Sequence, residues 1–264
     1  MKRNTKHTFV ILAYKKSKYL SACIESLLAQ TVQSNIIIAT STPSNFLEQL
    51  AITYKVPLKI NPLKNDIAAD WSFAYNIPPS KYITLAHQDD LYLPEYVEKC
   101  VQSAENIRQN LITFTDYKEL HENGSQSNSP ILPVKRLILS PFFINKNHIS
   151  NLFIKKILLS FGNPVCCPTI MYNRENIGTF NFNKNFKMNL DWEATLRLAN
   201  VRGAFIYNKH KLLIRRIHSE SESTNSLNNN NRFIEDIEVF NTIWPQTITN
   251  LLMKIYVKSY HHIK

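Results

Sequence analysis

The sequence predicts an α/β fold built around a mostly parallel sheet. In the first 120 residues, short apolar runs typical of buried strands alternate with segments that have apolar residues at helical spacing. Consecutive parallel strands need such helical crossovers between them. Apolar residues make up 44% and charged residues 19% of the 264 residues, a composition ordinary for a globular chain with a substantial core.

Each element of this half is indicated by its own local pattern. Strands are predicted from β-prone apolar runs at residues 8–14, 36–39, 56–60, 81–86 and 111–115. Helices are predicted between them at residues 17–30, 43–54, 66–77 and 94–109. Ser17 is the candidate N-cap of the first helix, and Pro43 and Pro94 open two of the others. The succession of βαβ units indicates a Rossmann-like nucleotide-binding half.

Two adjacent carboxylates, Asp89 and Asp90, follow the strand predicted at residues 81–86. In an open α/β sheet, ligands bind at the carboxyl ends of the strands. Neighbouring carboxylates repel each other unless a cation or a hydrogen-bond donor neutralises them. The placement therefore favours a divalent metal and an anionic substrate. A solvated turn in which Asp90 helps to cap the next helix is the open alternative.

Glycine usage excludes the common phosphate-binding loops. The chain contains only Gly124, Gly162, Gly178 and Gly203, and none lies in the first 120 residues. A GxGxxG dinucleotide loop and a GxxxxGK[ST] loop are therefore excluded from this half, and the chain has no GxSxG hydrolase motif. A bound nucleotide would need another countercharge for its phosphates, which a metal on the two carboxylates supplies.

The net charge limits which classes of partner are expected, and the cysteine content indicates the cellular compartment. A net charge of +11 would suit nucleic acid, anionic lipid or a phosphorylated small molecule. The chain has no zinc-finger spacing and no RNP-like motif, so we expect no nucleic-acid partner. Its four cysteines lack metal-binding spacing, which favours a reduced, cytoplasmic protein. No apolar run reaches the roughly 18 residues that a membrane span requires.

Several segments in a fixed order carry a family resemblance. They are the strand at residues 8–14, SKYLSACIESLLAQT, NIIIATS, DIAADWSFAYNI, YITLAHQDDLYLP, CCPTIMYNRENIGTFNF, NLDWEATLRLA and IRRIHSESEST. In order and spacing they resemble the family 2 glycosyltransferases of GT-A fold, over about residues 8–225. The resemblance implies a GT-A domain at residues 1–225, with a nucleotide-sugar half at 1–120 and an acceptor half at 121–225. Residues 226–264 would form a C-terminal helical extension.

The resemblance also implies the metal ligands. The acidic motif of the family falls on residues 87–90, which read H-Q-D-D, so that His87 replaces the usual first aspartate. It implies that Asp89 and Asp90 bind a divalent cation, Mn²⁺ or Mg²⁺, and that His218 makes a further metal or diphosphate contact. Such hard cations suit carboxylate and diphosphate oxygens.

A larger set of residues is implied to bind the nucleotide-sugar donor. The set comprises Ala13, Tyr14, Thr40, Ser41, Asp66, Asn76, His87, Gln88, Asp90 and Arg216. Many members carry an acidic pair after the second strand, but this chain has hydroxyl residues there. Base recognition is therefore expected from Thr40 or Ser41, or to be shared with Asp66 or Asp70. A UDP-sugar is the first choice of donor and a dTDP-sugar the second. Structural roles remain open for His87, as a strand-end histidine, and for Asn76, as a capping or packing residue.

Asp191 is implied to be the general base of an inverting transfer. One carboxylate must take the proton of the acceptor hydroxyl while the anomeric carbon is attacked from behind. The glutamate that precedes it in the family is Leu190 here. The alternative is a helix N-terminal charge that complements the helix dipole. Trp192, next to it, would either stack on a sugar ring or lie in the core.

The C-terminal part of the chain has two segments with helical patterns, preceded by a polar stretch. Residues 232–244 have a helical pattern, and residues 248–264 mix apolar and basic residues at helical spacing. This end would lie on an anionic membrane, pack on the core or form a dimer contact. The polar residues 219–231 would be a loop that orders over the donor or a plain linker.

The resemblance implies bacterial surface-polysaccharide assembly, with a glycan or lipid-linked glycan acceptor. The protein would be cytoplasmic, with peripheral contact to the inner membrane and a homodimer both allowed. Because His87 and Leu190 depart from the family pattern, a catalytically inactive nucleotide-sugar-binding protein is the main alternative function. A nucleic-acid-binding protein, suggested only by the net charge, is the lesser alternative.

Overall fold

The computed structural model describes residues 2–63, 66–125, 129, 131–218 and 231–257. Within these residues, nine strands form a single sheet. The strands are Lys2–Leu12 (β1), Val32–Thr40 (β2), Leu58–Ile60 (β3), Tyr82–His87 (β4), Leu91–Tyr92 (β5), Asn110–His121 (β6), His148–Ile149 (β7), Met171–Asn173 (β8) and Ala204–Ile217 (β9).

Ten α-helices lie in the described part of the chain. They are Leu20–Leu28 (α1), Asn45–Tyr54 (α2), Ile67–Asn76 (α3), Tyr96–Glu105 (α4), Ile131–Phe143 (α5), Leu152–Leu159 (α6), Arg174–Ile177 (α7), Leu190–Ala199 (α8), Asn231–Asn241 (α9) and Gln246–Tyr256 (α10).

The sheet is mostly parallel, which confirms the predicted fold class. Its strand order is β3-β2-β1-β4-β8-β6-β9-β5, and β7 pairs with β9. The four strands from β3 to β4 pair in parallel, and β6 runs parallel to β9. The short strand β8 is antiparallel to both β4 and β6 and joins the two parallel groups.

Helices cover both faces of the sheet because the central strands are apolar on both sides. Along β1, Val10 belongs to one buried apolar core, and Phe9 and Ile11 belong to the other. The apolar residues of α1, α2 and α4 lie in the second core, and those of α3, α6 and α8 in the first. This alternation is the period of two expected of a strand buried on both faces.

Some element boundaries differ from the sequence prediction. The predicted N-cap Ser17 is wrong: α1 starts after Tyr19, and the Ser17 hydroxyl accepts a hydrogen bond from the Tyr19 amide in the turn before the helix. Strand β6 extends well beyond the predicted 111–115, because it pairs with β9 along nearly its whole length. That pairing joins residues about a hundred positions apart, which local periodicity does not reveal.

The C-terminal helices α9 and α10 pack on the core. Val239, Phe240 and Met253 are buried in the same cluster as α8. Trp192 is 1% exposed and makes an edge contact with Phe240 at 5.1 Å between ring centroids, so it is a core residue and does not stack on a sugar. Residues 219–230, proposed as a donor-covering loop, lie outside the described residues. No helix in the described part is long and apolar enough to cross a membrane.

Candidate active site

The predicted acidic motif lies at the carboxyl edge of the sheet, where β1 and β4 end side by side. Leu12 pairs with His87 at the last position of the two strands. Just beyond, the Tyr14 amide donates to Gln88 Oε1 at 3.1 Å, and Gln88 Nε2 donates to the Tyr14 carbonyl at 3.2 Å. These reciprocal bonds hold the two strand ends together and set the direction in which the next residues, Asp89 and Asp90, leave the sheet.

Strand β9 brings two further predicted residues to the same place. The short strand β5 pairs with β9 through Leu91 and Ile214, so the end of β9 runs beside the aspartates. The Arg216 amide donates to Asp90 Oδ1 at 3.0 Å, and His218 Nε2 hydrogen-bonds Asp89 Oδ2 at 2.9 Å. Both aspartates are therefore held by residues more than 120 positions away in the chain.

His87, Asp89 and Asp90 form a cluster that can hold a metal ion. Each offers one ligand atom, and these atoms all lie within 4.8 Å of one another. The Nε2 atom of His87 is buried and has no hydrogen-bond partner among the described residues, which suits a metal ligand. Ligands of Mg²⁺ at about 2.1 Å lie about 4.2 Å apart when opposite and about 3.0 Å apart when neighbouring, so side chains of the cluster would move closer together when the cation binds.

His218 was implied as a metal ligand, but its hydrogen bond to Asp89 gives it a different place. From there it can orient the carboxylate while His87 points an atom into the cluster. Outer hydrogen bonds of this kind tune the carboxylates that bind metals. A direct metal contact by His218 stays a prediction.

The two aspartates have opposite electrostatic environments. Burial would raise the pKa of Asp89, but the hydrogen bond from His218 and the nearby charges of His87 and His218 outweigh it and lower the pKa. Burial and the charge of Asp89 raise the pKa of Asp90 well above its usual value, because Arg215 and Arg216 offset only part of both effects. A divalent cation would relieve this repulsion. Burial lowers the pKa of His87, although the charge of Asp89 raises it in part, and the lowered pKa favours the imidazole form that can donate a lone pair.

Lys18 and Tyr19, just before α1, and Glu122, just after β6, form a rim beside the cluster that the sequence reasoning missed. The Tyr19 ring lies 4.9 Å from the His218 ring and 4.8 Å from the Arg216 guanidinium. Glu122 accepts from the Tyr19 hydroxyl at 3.1 Å and pairs with Lys18 at 2.5 Å. The rim places cations where a diphosphate bound to the cluster would need them. No motif in the sequence marks these residues.

Thr40 ends β2 and Ser41 follows it, and the hydrogen bonds around them distinguish between the two predicted carboxylates Asp66 and Asp70. The Ser41 hydroxyl donates to Asp70 Oδ2 at 2.7 Å, and Asn61 Nδ2 donates to Asp70 Oδ1 at 2.8 Å. Asp66 instead caps α3 by accepting from the Ala68 amide at 2.9 Å. Asp70 is thus the carboxylate that is hydrogen-bonded to Ser41 at the end of β2, whereas Asp66 is the N-cap of α3.

Asn76, at the other end of α3, is engaged in packing. Its Nδ2 donates to the Phe180 carbonyl at 2.9 Å and to the Ser72 carbonyl at 2.8 Å. The bond to Phe180 ties α3 to the segment after α7, the structural role left open for Asn76 above. A direct nucleotide contact by Asn76 stays a prediction.

Asp191 occupies the first turn of α8, in the second half of the fold. Its Oδ1 accepts from the Trp192 amide at 2.8 Å and its Oδ2 from Asn163 Nδ2 at 3.0 Å. Burial raises its pKa, and the charges of Lys135 and Arg232 lower it in part. Burial raises the pKa of the Cys167 thiol well above its usual value, and the charges of Asp191 and Asp90 raise it further.

The start of α8 is held from the C-terminal part of the chain, which sequence reasoning also missed. Buried Glu235 of α9 accepts three backbone N–H groups, from Lys187 at 3.0 Å, Met188 at 2.8 Å and Asn189 at 2.9 Å. Neighbouring Asp236 accepts from Asn189 Nδ2 at 2.7 Å. Carboxylates at a helix N-terminus satisfy its free amides and complement its dipole. Helix α9 therefore fixes the position from which Asp191 extends.

Replacing Glu235 by Ala is expected to lower the free energy of unfolding on the order of 3 kcal/mol, because three amides lose a charged acceptor. Urea-induced unfolding measures the change. Glu238→Ala is the matched control, since Glu238 is an exposed carboxylate of the same helix. Equal destabilisation by the two substitutions would contradict the role assigned to Glu235.

A Rossmann-like sheet with a candidate cation site at its carboxyl edge, joined to a second half with a half-buried carboxylate, defines a glycosyltransferase of GT-A fold. The chain belongs to glycosyl transferase family 2, whose family model matches residues 8–177. A relative named as an uncharacterized glycosyltransferase of Rickettsia typhi is 25% identical over 273 aligned positions. That alignment covers 99% of this chain and 79% of the relative.

Solved structures share the fold at low sequence identity. S. aureus TarS (residues 1–349) in complex with UDP-GlcNAc superposes with a TM-score of 0.62 at 12% identity, covering 98% of this chain and 72% of that one. The mannosyltransferase PcManGT from Pyrobaculum calidifontis, in complex with GDP-Man and Mn²⁺, has a TM-score of 0.56 at 8% identity. It covers 88% of this chain and 64% of its own.

Proposed function

We propose that the protein is an inverting, divalent-cation-dependent glycosyltransferase that takes its sugar from a nucleotide-sugar. The observation that carries the proposal is the cluster of His87, Asp89 and Asp90 at the carboxyl edge of the sheet, with the half-buried carboxylate of Asp191 on the adjoining half. The cation is Mn²⁺ or Mg²⁺, and the Mn²⁺ bound to PcManGT supports this choice. When bound, the cation neutralises the diphosphate of the donor.

Different residues of the chain act on the acceptor, the leaving group and the nucleotide. Asp191 takes the proton from the acceptor hydroxyl, whose oxygen forms a bond to the anomeric carbon. The bond from that carbon to the diphosphate oxygen breaks, and its electron pair leaves with the nucleoside diphosphate. Arg216, beside Asp90, faces the developing negative charge and stabilises it. Ala13, Tyr14 and Gln88 shape the edge of the sheet against which the nucleotide lies.

The donor proposed first is a UDP-sugar, with a dTDP-sugar second. The UDP-GlcNAc and UDP bound to TarS support the first choice. Thr40 and Ser41, backed by Asp70, recognise the base or ribose in place of the usual acidic pair. The acceptor is a glycan or lipid-linked glycan of bacterial surface-polysaccharide assembly, reached from the cytoplasmic side of the membrane. In this proposal residues 1–225 form the catalytic domain, although α9 contributes support to it.

A thermal-stability screen followed by a turnover assay tests this function. UDP-, dTDP- and GDP-sugars are added with Mn²⁺, with Mg²⁺ or with chelator, because a ligand that binds only the folded state raises the melting temperature. A cation-dependent rise with one donor, followed by release of its nucleoside diphosphate, is the expected result. Binding without turnover with any acceptor would favour the inactive binding protein, which the histidine at position 87 keeps as second candidate.

The pH dependence of transfer tests the role of Asp191. A base must be deprotonated, so activity falls on the acid side around the pKa of Asp191, which burial raises. Lys135 lowers that pKa in part, and Lys135→Met is therefore expected to shift the acid limb to higher pH. Lys135→Arg keeps the charge and should leave the limb in place. An acid limb that does not move in Lys135→Met would argue against Asp191 as the titrating base.

A further inference from the structure

Helix α10 exposes an apolar stripe to solvent. Ile248, Leu251 and Ile255 are 39%, 61% and 65% exposed, and their spacing of three and four residues puts them on one side of the helix. Thr249 and Met253 on the other side are buried against the core. A helix that is apolar on its buried side needs no further apolar residues on its exposed side for folding. The stripe therefore needs another explanation.

A further exposed apolar side chain lies on the segment after α6, near the start of α10. The Phe161 ring, 52% exposed, lies 5.6 Å from the ring of Trp244, just before α10. A Cβ atom at Gly162 would lie 3.1 Å from the Tyr256 ring, at the end of α10. The segment therefore packs against α10, with Phe161 near the end of the helix where Ile248 begins the stripe. We call Phe161, Ile248, Leu251 and Ile255 together the apolar face.

The charges around the apolar face are positive. Helices α6 and α10 contain no aspartate or glutamate, and they carry Lys156 and Lys254 with exposed side chains. On the adjacent helix α9, Glu235 and Asp236 are buried, which leaves Glu238 as its exposed carboxylate. Apolar residues flanked by lysines are the pattern that binds anionic lipid surfaces. A second copy of the chain would bring the same lysines together, so like charges would oppose that contact.

The apolar face adjoins the acceptor side of the site. Asn163, two residues after Phe161, donates to Asp191 Oδ2 at 3.0 Å. Tyr256 of α10 stacks on Trp192, with 6.1 Å between the ring centroids. Trp192 is the residue directly after Asp191 in the chain. A surface bound to the apolar face would therefore lie near the carboxylate that accepts the proton of the acceptor.

We propose that the apolar face docks on an anionic membrane leaflet and thereby holds Asp191 near the head of a lipid-linked acceptor. The apolar side chains enter the headgroup region, and the two lysines contact lipid phosphates. The link to the acceptor rests on the proposed function, whereas membrane binding itself does not require activity. The two can therefore fail separately.

Co-sedimentation of the full chain with lipid vesicles tests the proposal. The wild-type protein is expected to bind vesicles of phosphatidylcholine mixed with phosphatidylglycerol, and to bind less to phosphatidylcholine alone or at high salt. Leu251→Ser with Ile255→Ser is expected to lower the partition coefficient about tenfold, since two apolar side chains no longer insert. Ile52→Ser is the matched control, because Ile52 is 69% exposed on α2.

Three outcomes would overturn the proposal. The first is wild-type protein that stays in the supernatant, and the second is an equal loss of vesicle binding in the Ile52→Ser control. The third is a dimer, detected by analytical sedimentation, that Leu251→Ser dissociates, because the apolar face would then be a contact between two copies of the chain. Stabilisation by the donor is measured on every variant. Retained stabilisation with lost vesicle binding supports the docking face, and lost stabilisation with intact vesicle binding counts against the proposed donor site alone.

Discussion

Asp89→Asn is expected to abolish cation-dependent stabilisation by the donor and to lower transfer on the order of a thousandfold. Asp89 is the aspartate of the cluster whose pKa is lowered, so it carries the negative charge that attracts a cation. Loss of one charged ligand removes several kcal/mol of charge stabilisation, and each 1.4 kcal/mol corresponds to about tenfold in rate.

The fold should survive this substitution. The Asp89 side chain is 23% exposed, and an asparagine keeps an oxygen that can accept from His218 Nε2. The measurements are melting temperature with donor and Mn²⁺, and release of nucleoside diphosphate. Glu105→Gln is the control, because Glu105 is an exposed carboxylate paired with Lys6 away from the cluster. A wild-type rate of sugar transfer by Asp89→Asn in the presence of chelator would contradict the cation-dependent mechanism.

Asp191→Asn is expected to lower transfer by about a hundredfold to ten-thousandfold, the range contributed by a positioned general base. Donor binding and its cation dependence should persist, because the cluster of His87, Asp89 and Asp90 is unchanged. The asparagine can still accept from the Trp192 amide, so the start of α8 should hold.

Glu193→Gln is the matched control for this variant. Glu193 lies two residues after Asp191 on the same helix and pairs with Arg197 at 2.8 Å. Its loss removes a carboxylate from α8 without touching Asp191. Separate measurement of donor binding and of turnover distinguishes the roles, and loss of donor binding in Asp191→Asn would show that Asp191 is not acting as a base.

The sequence predicted the fold class and the place of the acidic motif well. Strand β4 and the aspartates that follow it are neighbours in the chain, and an apolar run that ends in carboxylates is readable from local order alone. The alternation of strands and helices likewise predicted the parallel sheet. By contrast, the N-cap of α1 and the full lengths of β6 and β9 depend on how the surrounding chain packs, and those were missed.

The site was predicted in part, for the same reason. The resemblance drew attention to His218 and Arg216, but the bonds that join them to Asp89 and Asp90 span 129 and 126 residues. It treated His87 as a nucleotide contact, whereas in the structure His87 belongs to the cluster with Asp89 and Asp90 that can hold a metal ion. His218, which the resemblance implied as a metal contact, instead hydrogen-bonds Asp89 from just beyond β9.

By itself, the sequence determined that two carboxylates end a buried strand of a glycine-poor nucleotide-binding half. Local composition and periodicity are sufficient for that, because neighbouring residues share one strand and one turn. Only the tertiary structure decided that β9 holds the aspartates, that Asp70 supports the end of β2, and that Glu235 anchors the helix bearing Asp191. Each of these contacts joins separate elements, and their geometry exists only after the sheet and its covering helices have packed.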